Sequence, residues 1–189
     1  ISNSTIESAS TDGNAIYAPG DLTIENSNVT TSNDNTNHYG YPAIWCDGDI
    51  TINGGQLKST CIGSDALGAA GTLSITDCTV ENKGGSALYS QGKMTLTGGS
   101  ITADAEYNAI ISNSAMTITN ATIKATAQKF NALRASDVMK IDGGRVEATT
   151  VLYGEETYAI HMEPMKDGSN NGRMEIGGGV ELYVKGFSG

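Results

Sequence analysis

Residues 87–101 read Ala87-Leu88-Tyr89-Ser90-Gln91-Gly92-Lys93-Met94-Thr95-Leu96-Thr97-Gly98-Gly99-Ser100-Ile101, and the fold follows from how often this pattern returns. At its centre is an alternating apolar pair, Met94/Leu96, of the kind that lines one face of a strand. The pair recurs as Leu22/Ile24, Ile50/Ile52, Leu73/Ile75, Met116/Ile118, Met139/Ile141 and Met174/Ile176, at successive spacings of 28, 23, 21, 22, 23 and 35 residues. Seven positions after each first member stands another apolar residue: Val29, Leu57, Val80, Ile101, Ile123 and Val146, slipping by one to Val180 in the last copy. Six positions before each first member comes a further apolar side chain, directly preceded by Ala, as in Ala15-Ile16, Ala43-Ile44, Ala66-Leu67, Ala87-Leu88, Ala109-Ile110 and Ala132-Leu133. For Ala159-Ile160 that offset is 14, which marks residues between Met162 and Arg173 as an insertion. Ile1 and Ile6 fit the second and third slots of an earlier, incomplete copy.

Each copy thus offers three short runs of period-two alternation and no helical periodicity. Four residues after the anchor stand Asn26, Gly54, Asp77, Gly98, Asn120, Gly143 and Gly178, types that tolerate positive φ at a corner. A second corner precedes the anchor at Gly20, Gly48, Gly71, Gly92, Ser114 and Asp137, and a third, of variable length, leads into the Ala-apolar pair. Stacked coils of this kind place equivalent strands in parallel register about 4.8 Å apart, so every apolar slot becomes an interior ladder. The reading is an all-β parallel β-helix solenoid with three strands per coil, about seven to eight coils of 21–23 residues and two longer loops, forming one domain over residues 1–189. The methionines at regular spacing read as core filling, and Thr23, Thr51, Ser74, Thr95, Thr117, Lys140 and Glu175 as a solvated outward ladder.

Composition agrees. Gly (24), Thr (21), Ser (17) and Asn (15) dominate the chain, and all four are poor in helix interiors. A net charge of −10 weighs against nucleic acid and anionic lipid as partners. No apolar stretch reaches the ~18–20 residues of a membrane span, so membrane insertion is not expected. Cys46, Cys61 and Cys78 form no Cys-x-x-Cys motif and read as small core or turn residues.

The segments Asp21-Leu-Thr-Ile-Glu-Asn-Ser, Asp49-Ile-Thr-Ile-Asn-Gly-Gly and Lys93-Met-Thr-Leu-Thr-Gly-Gly resemble the "DLTITGG" repeats of secreted or cell-surface β-helix proteins of gut Firmicutes, which include non-catalytic carbohydrate-binding β-helices. The coil length and turns resemble the right-handed parallel β-helix of pectate lyases and polygalacturonases. This resemblance implies a secreted or bacterial cell-surface protein with a polysaccharide or surface glycan as ligand, and the start in mid-coil at Ile1, which would leave an open sheet edge, suggests a fragment of a longer chain with further domains of its own as partners. The polygalacturonase motifs, Asn-Thr-Asp, Asp-Asp, Gly-x-His-Gly and Arg-x-Lys, are missing, which disfavours a hydrolase.

Solenoids carry function on one face and along one edge. The outward position after each Ala-apolar pair reads Tyr17, Trp45, Gly68, Tyr89, Ile111, Arg134 and His161. The adjoining variable corner adds His38, Tyr39, Tyr41, Tyr107, Phe130, Tyr153 and Tyr158, so nine of the eleven aromatics fall in one sector. Such a row suits stacking against pyranose faces. The expected ligand-binding set is Tyr17, Tyr39, Tyr41, Trp45, Tyr89, Arg134, Tyr158 and His161, in a non-catalytic carbohydrate-binding or adhesin-like module. Gly68 interrupts the row, either as a dent for a ligand or as a break in a structural series. The alternatives are a structural spacer and a Ca²⁺-dependent polysaccharide lyase. For the latter, Asp47, Asp49, Glu155 and Glu156 supply the hard oxygen ligands that Ca²⁺ takes, and Arg134 the base. Glu147 and Glu181 read as neighbouring outward acids, and Lys58 with Glu81 and Lys140 with Glu175 as ion pairs.

Overall fold

The computed structural model describes residues 1–36, 40–152, 157–164 and 172–186. All regular structure in these segments is strand, arranged as three parallel sheets around a common interior. The seven apolar anchors form one sheet: Leu22–Glu25, Ile50–Asn53, Leu73–Thr76, Met94–Thr97, Met116–Thr119, Val138–Asp142 and Arg173–Ile176. An eight-stranded sheet of longer strands follows each anchor, from Thr5–Ser10 to Val180–Lys185. The third sheet is built from seven three-residue strands, Ile16–Ala18, Ile44–Cys46, Leu67–Ala69, Leu88–Ser90, Ile110–Ser112, Leu133–Ala135 and Ile160–Met162. In every sheet a strand pairs with its equivalents one coil before and one coil after, which makes a β-solenoid of seven three-strand coils behind the partial coil of Thr5–Ser10.

Register follows the repeat. Met94 pairs with Leu73 and Met116, and Ile101 with Val80 and Ile123. One apolar cluster runs from Leu22 to Ala159, with Met94, Met116 and Met139 fully buried, as expected of core-filling methionines. Ile6 pairs with Val29, and Ser2 bridges Glu25, placing Ile1 and Ile6 in the slots of the partial coil. The three cysteines are buried and free.

The corners explain the alternation of Asx and Gly. Asn26, Asp77 and Asn120 have φ of 48–51°, and Gly54, Gly98 and Gly143 have φ of 60–69° at the equivalent positions. The side chain of each Asx lies where the Cβ of the next coil's residue would stand, so only Gly fits there. At the second corner Asp21 Oδ1 accepts from the Asp49 N–H at 2.9 Å, and Asp49 Oδ1 from the Thr72 N–H at 2.7 Å. Each carboxylate thus caps the coil above it.

The last coil corrects two expectations. Val146 pairs with Leu182, not Val180, and the positive φ falls on Gly179 rather than Gly178. The final turn is one residue longer than the others, since Met139 to Val146 spans seven positions and Met174 to Leu182 eight. The same shift separates Glu147 from Glu181. Glu147 faces Tyr183, while Glu181 faces Arg145, whose guanidinium donates to both carboxylates. They form a bridged cluster instead of a neighbouring acid pair. Lys58 and Glu81 are in register with an ion-pair distance of 3.8 Å. Lys140 and Glu175 are also in register, but the ion pair that Glu175 makes is with Arg173, at 2.8 Å, rather than with Lys140 as expected.

Candidate functional site

In the three-residue strands the end side chains face the interior and the middle one lies on the outer face, where Ile111 is nonetheless covered at 6% exposure. Pairing of Ile16 with Ile44, Ile44 with Leu67, and so on to Ile160 therefore aligns Tyr17, Trp45, Gly68, Tyr89, Ile111, Arg134 and His161 in one row, in the order the sequence predicts. The row has two unlike ends.

At the first end Tyr17 and Tyr41 are both more than half exposed, at 54% and 55%. They line an open groove of about 510 Å³ with Asn14, Pro42, Trp45 and Asp47. Asp47 gathers its polar tips: the Tyr17 hydroxyl donates to Oδ2, and Trp45 Nε1–H donates to Oδ1 at 2.8 Å. The carboxylate beside it holds the Tyr17 phenol above its ordinary value. Gly68 is not a dent. A Cβ there would stand 2.6 Å from Trp45 Cζ3, because the indole lies over the bare backbone of the neighbouring strand and reaches Tyr89, with ring centroids 6.3 Å apart and planes 23° apart. Tyr89 is half-buried, its oxygen accepts from Asn113 Nδ2 at 3.1 Å, and burial raises its phenol.

Tyr41 is held by a residue that the repeat pattern does not single out. Asn33 is fully buried, and its side-chain amide donates to the carbonyls of Gly13 and Tyr41 at 2.9 and 2.6 Å. One interior side chain thereby ties the long loop to the preceding corner. Its signal was visible as an Asn in an inward slot of a strand, where the equivalent residues are Cys61, Gly84 and Ala105.

At the other end Arg134 donates to Glu163, pulling that carboxyl below its usual value, and Ser136 Oγ lies 3.4 Å from the same carboxylate. The Tyr158 and His161 rings are 4.9 Å apart and tilted by 50°. Thr150, nearly buried, lies 3.1 Å from the carbonyls of both Phe130 and Tyr158 and serves this second loop as Asn33 serves the first. Arg134 and Trp45 are four strands apart, about 19 Å at the usual strand spacing. The eight expected ligand residues thus divide into a Tyr17/Tyr41/Trp45/Tyr89 group and an Arg134/Tyr158/His161 group, while Tyr39 lies outside the described residues.

Asp47 faces the aromatic groove and Asp49 caps the Thr72 corner; Glu155 and Glu156 lie outside the described residues. Among the described residues no three His, Cys, Asp or Glu side chains converge as a metal centre would need.

A family model described as "Carbohydrate-binding domain-containing protein" matches residues 76–185, 110 of the 189 residues. Tyr89, Arg134, Tyr158 and His161 fall within it, and Tyr17, Tyr41, Trp45 and Asp47 precede it. No curated protein and no solved structure matches.

Proposed function

From the premise that the chain belongs to the carbohydrate-binding domain-containing family, we propose that it is a non-catalytic, extracellular glycan-binding module whose ligand lies along the Tyr17/Trp45/Tyr89 row. The observation that carries this reading is the in-register alignment of those three rings beside an open groove. Parallel stacking repeats an outward side chain at a fixed interval, and a polysaccharide repeats its sugar faces along a line. Aromatic rings supply large contact area at low conformational cost. The strand scaffold holds them in place before the ligand arrives, which reduces the ordering cost of binding.

Arg134 is tied to Glu163 in the structure, so it is not presented as a lone base of the kind a lyase uses. The spacer reading draws on a separate observation, the Trp45 indole lying across Gly68, which shields the sheet whether or not a ligand binds. Titration with polysaccharides, followed by the emission of the single tryptophan, separates the two. Saturable change that is lost in Tyr89→Ala and Tyr17→Ala, with thermal unfolding unaltered, supports binding on the row. Absence of any change across plant, host and bacterial glycans would leave the spacer.

A further inference from the structure

Among the described residues the groove offers a ligand a carboxylate, ring faces and no cationic side chain. Two of its three ring-borne hydrogen-bond donors, the Tyr17 hydroxyl and Trp45 Nε1–H, are turned onto Asp47, and the third is the Tyr41 hydroxyl. A carboxylate oxygen has more than one lone-pair site, so each oxygen of Asp47, an exposed residue, keeps acceptor capacity toward solvent. The surroundings carry one sign of charge. Residues 1–57 contain seven Asp and Glu and no Lys or Arg, and Arg134 at the far end of the row is about 19 Å from Trp45 and paired with Glu163. Two tyrosine rings, an indole and a carboxylate around one open cleft are the elements with which proteins hold organic ammonium groups, since the ring quadrupole and the carboxylate both attract the cation.

We propose that the Tyr17/Tyr41/Trp45/Asp47 groove selects glycans bearing protonated amino sugars over neutral ones, and rejects polyuronates. This rests on the glycan-binding reading above and deepens it: the row of rings would supply stacking, and Asp47 the choice of sugar. A uronate carboxylate entering the cleft would face Asp47 with no cationic side chain among the described lining residues to offset it. A free amine would sit where the carboxylate and ring faces converge.

The test uses the whole chain and four probes read through Trp45 emission, in low-salt, mildly acidic buffer: a chitosan oligosaccharide, its fully N-acetylated counterpart of the same length, an oligogalacturonate, and spermidine. The expected result is about tenfold tighter binding of the deacetylated oligomer than of the acetylated one, in the range of a desolvated cation–π contact, and no binding of the oligogalacturonate. Asp47→Asn should bring the two chitin-derived oligomers to similar affinity, with its far-ultraviolet circular dichroism unchanged. Acetylated oligomer binding as tightly as the deacetylated one, or oligogalacturonate binding, would overturn the selectivity and leave the glycan-binding reading standing. Spermidine competing as strongly as chitosan would show that charge alone is recognised, and would overturn the sugar assignment. If no oligosaccharide of any kind binds, both readings fall.

Discussion

Single residues set the geometry of the aromatic row and its supports. Gly68 matters because the adjacent indole occupies the place of its side chain. Gly68→Val is expected to lift Trp45 off the sheet, with a red shift of its emission and loss of the Trp45–Tyr89 contact, while the fold is retained. Asn33→Ala removes the buried amide that donates to the carbonyls of Gly13 and Tyr41, leaving the latter only the weaker Cys61 Sγ–H donor at 3.6 Å. A loss of about 2 kcal/mol is expected from unmade buried hydrogen bonds, together with faster amide exchange around Tyr41, measured by denaturant unfolding and hydrogen exchange. Glu163 contributes through Arg134, which lowers its carboxyl below the ordinary value of 4.5. A lowered carboxyl stabilises the fold above its unfolded value, and the contribution disappears as pH falls through the folded value. Glu163→Gln should therefore be less stable than the parent near neutral pH, by on the order of 1 kcal/mol given the partial solvent exposure of the pair, and indistinguishable from it in strong acid. Unfolding curves at both pH values check this.

Within a sheet, the informative unit is the column of equivalent positions. One inward column of the long strands reads Thr31, Ser59, Asn82, Ala103, Ala125 and Ala148 in successive coils. Thr31 donates to Ser59 at 2.7 Å, Ser59 to the carbonyl of Ala66 at 2.7 Å, and Asn82 Nδ2 to the carbonyl of Ala87 at 3.1 Å. Hydroxyl groups thus link the long-strand sheet to the corner before the short strands. Asn82 Oδ1, however, is buried without a partner. Asn82→Ser keeps a donor of the Ser59 type and removes the unsatisfied oxygen. We expect it to be neutral or stabilising by up to about 1 kcal/mol, read as a shift in the denaturation midpoint. The corner columns use the same logic in the opposite direction. Asn131 Oδ1 accepts from the Tyr158 N–H at 2.9 Å, and Asp65 Oδ1 from the Ser86 N–H at 3.0 Å, so a polar side chain in one coil caps the backbone of the next. Pro42 has no N–H to offer, and Asn14 donates to its carbonyl instead, at 2.7 Å.

Across the whole molecule, stability is one-dimensional: each coil touches its two neighbours, and stacking adds interfaces in series. Leu96, fully buried in the middle of the stack, should cost about 2–4 kcal/mol on Leu96→Ala. Met174, in the last anchor strand, is only partly buried against the core, so Met174→Ala should cost less than half as much. Denaturant unfolding compares the two, and amide exchange should be slowest in the central strands around Met94–Ala127. Charge is also unevenly distributed along the axis. The first 57 residues hold no Lys or Arg, whereas Lys58 with Glu81, Lys83 with Asp104 and Arg145 with Glu147 pair along the long-strand sheet beyond them.

The architecture was legible in the chain because a solenoid writes its period directly into sequence. Each anchor pair, Ala-apolar pair and corner Gly or Asx is a local signal, and parallel stacking converts equal spacing into register without further information. For the same reason the outward row from Tyr17 to His161 could be read before any coordinates. What the repeat could not decide were departures from it and the directions of side chains. The extra residue in the final turn moved Leu182 and Gly179 into slots that spacing had assigned to Val180 and Gly178. Asn33 and Thr150 look like ordinary polar members of a strand until loop carbonyls from other parts of the chain converge on them. The turning of Tyr17 and Trp45 onto Asp47, the laying of the indole over Gly68 and the pairing of Arg134 with Glu163 are also decisions of tertiary structure. Apart from the local Trp45–Asp47 bond, each depends on contacts between coils, where rotamers answer to neighbours some 20 to 30 residues away in the chain and only about 5 Å away in space.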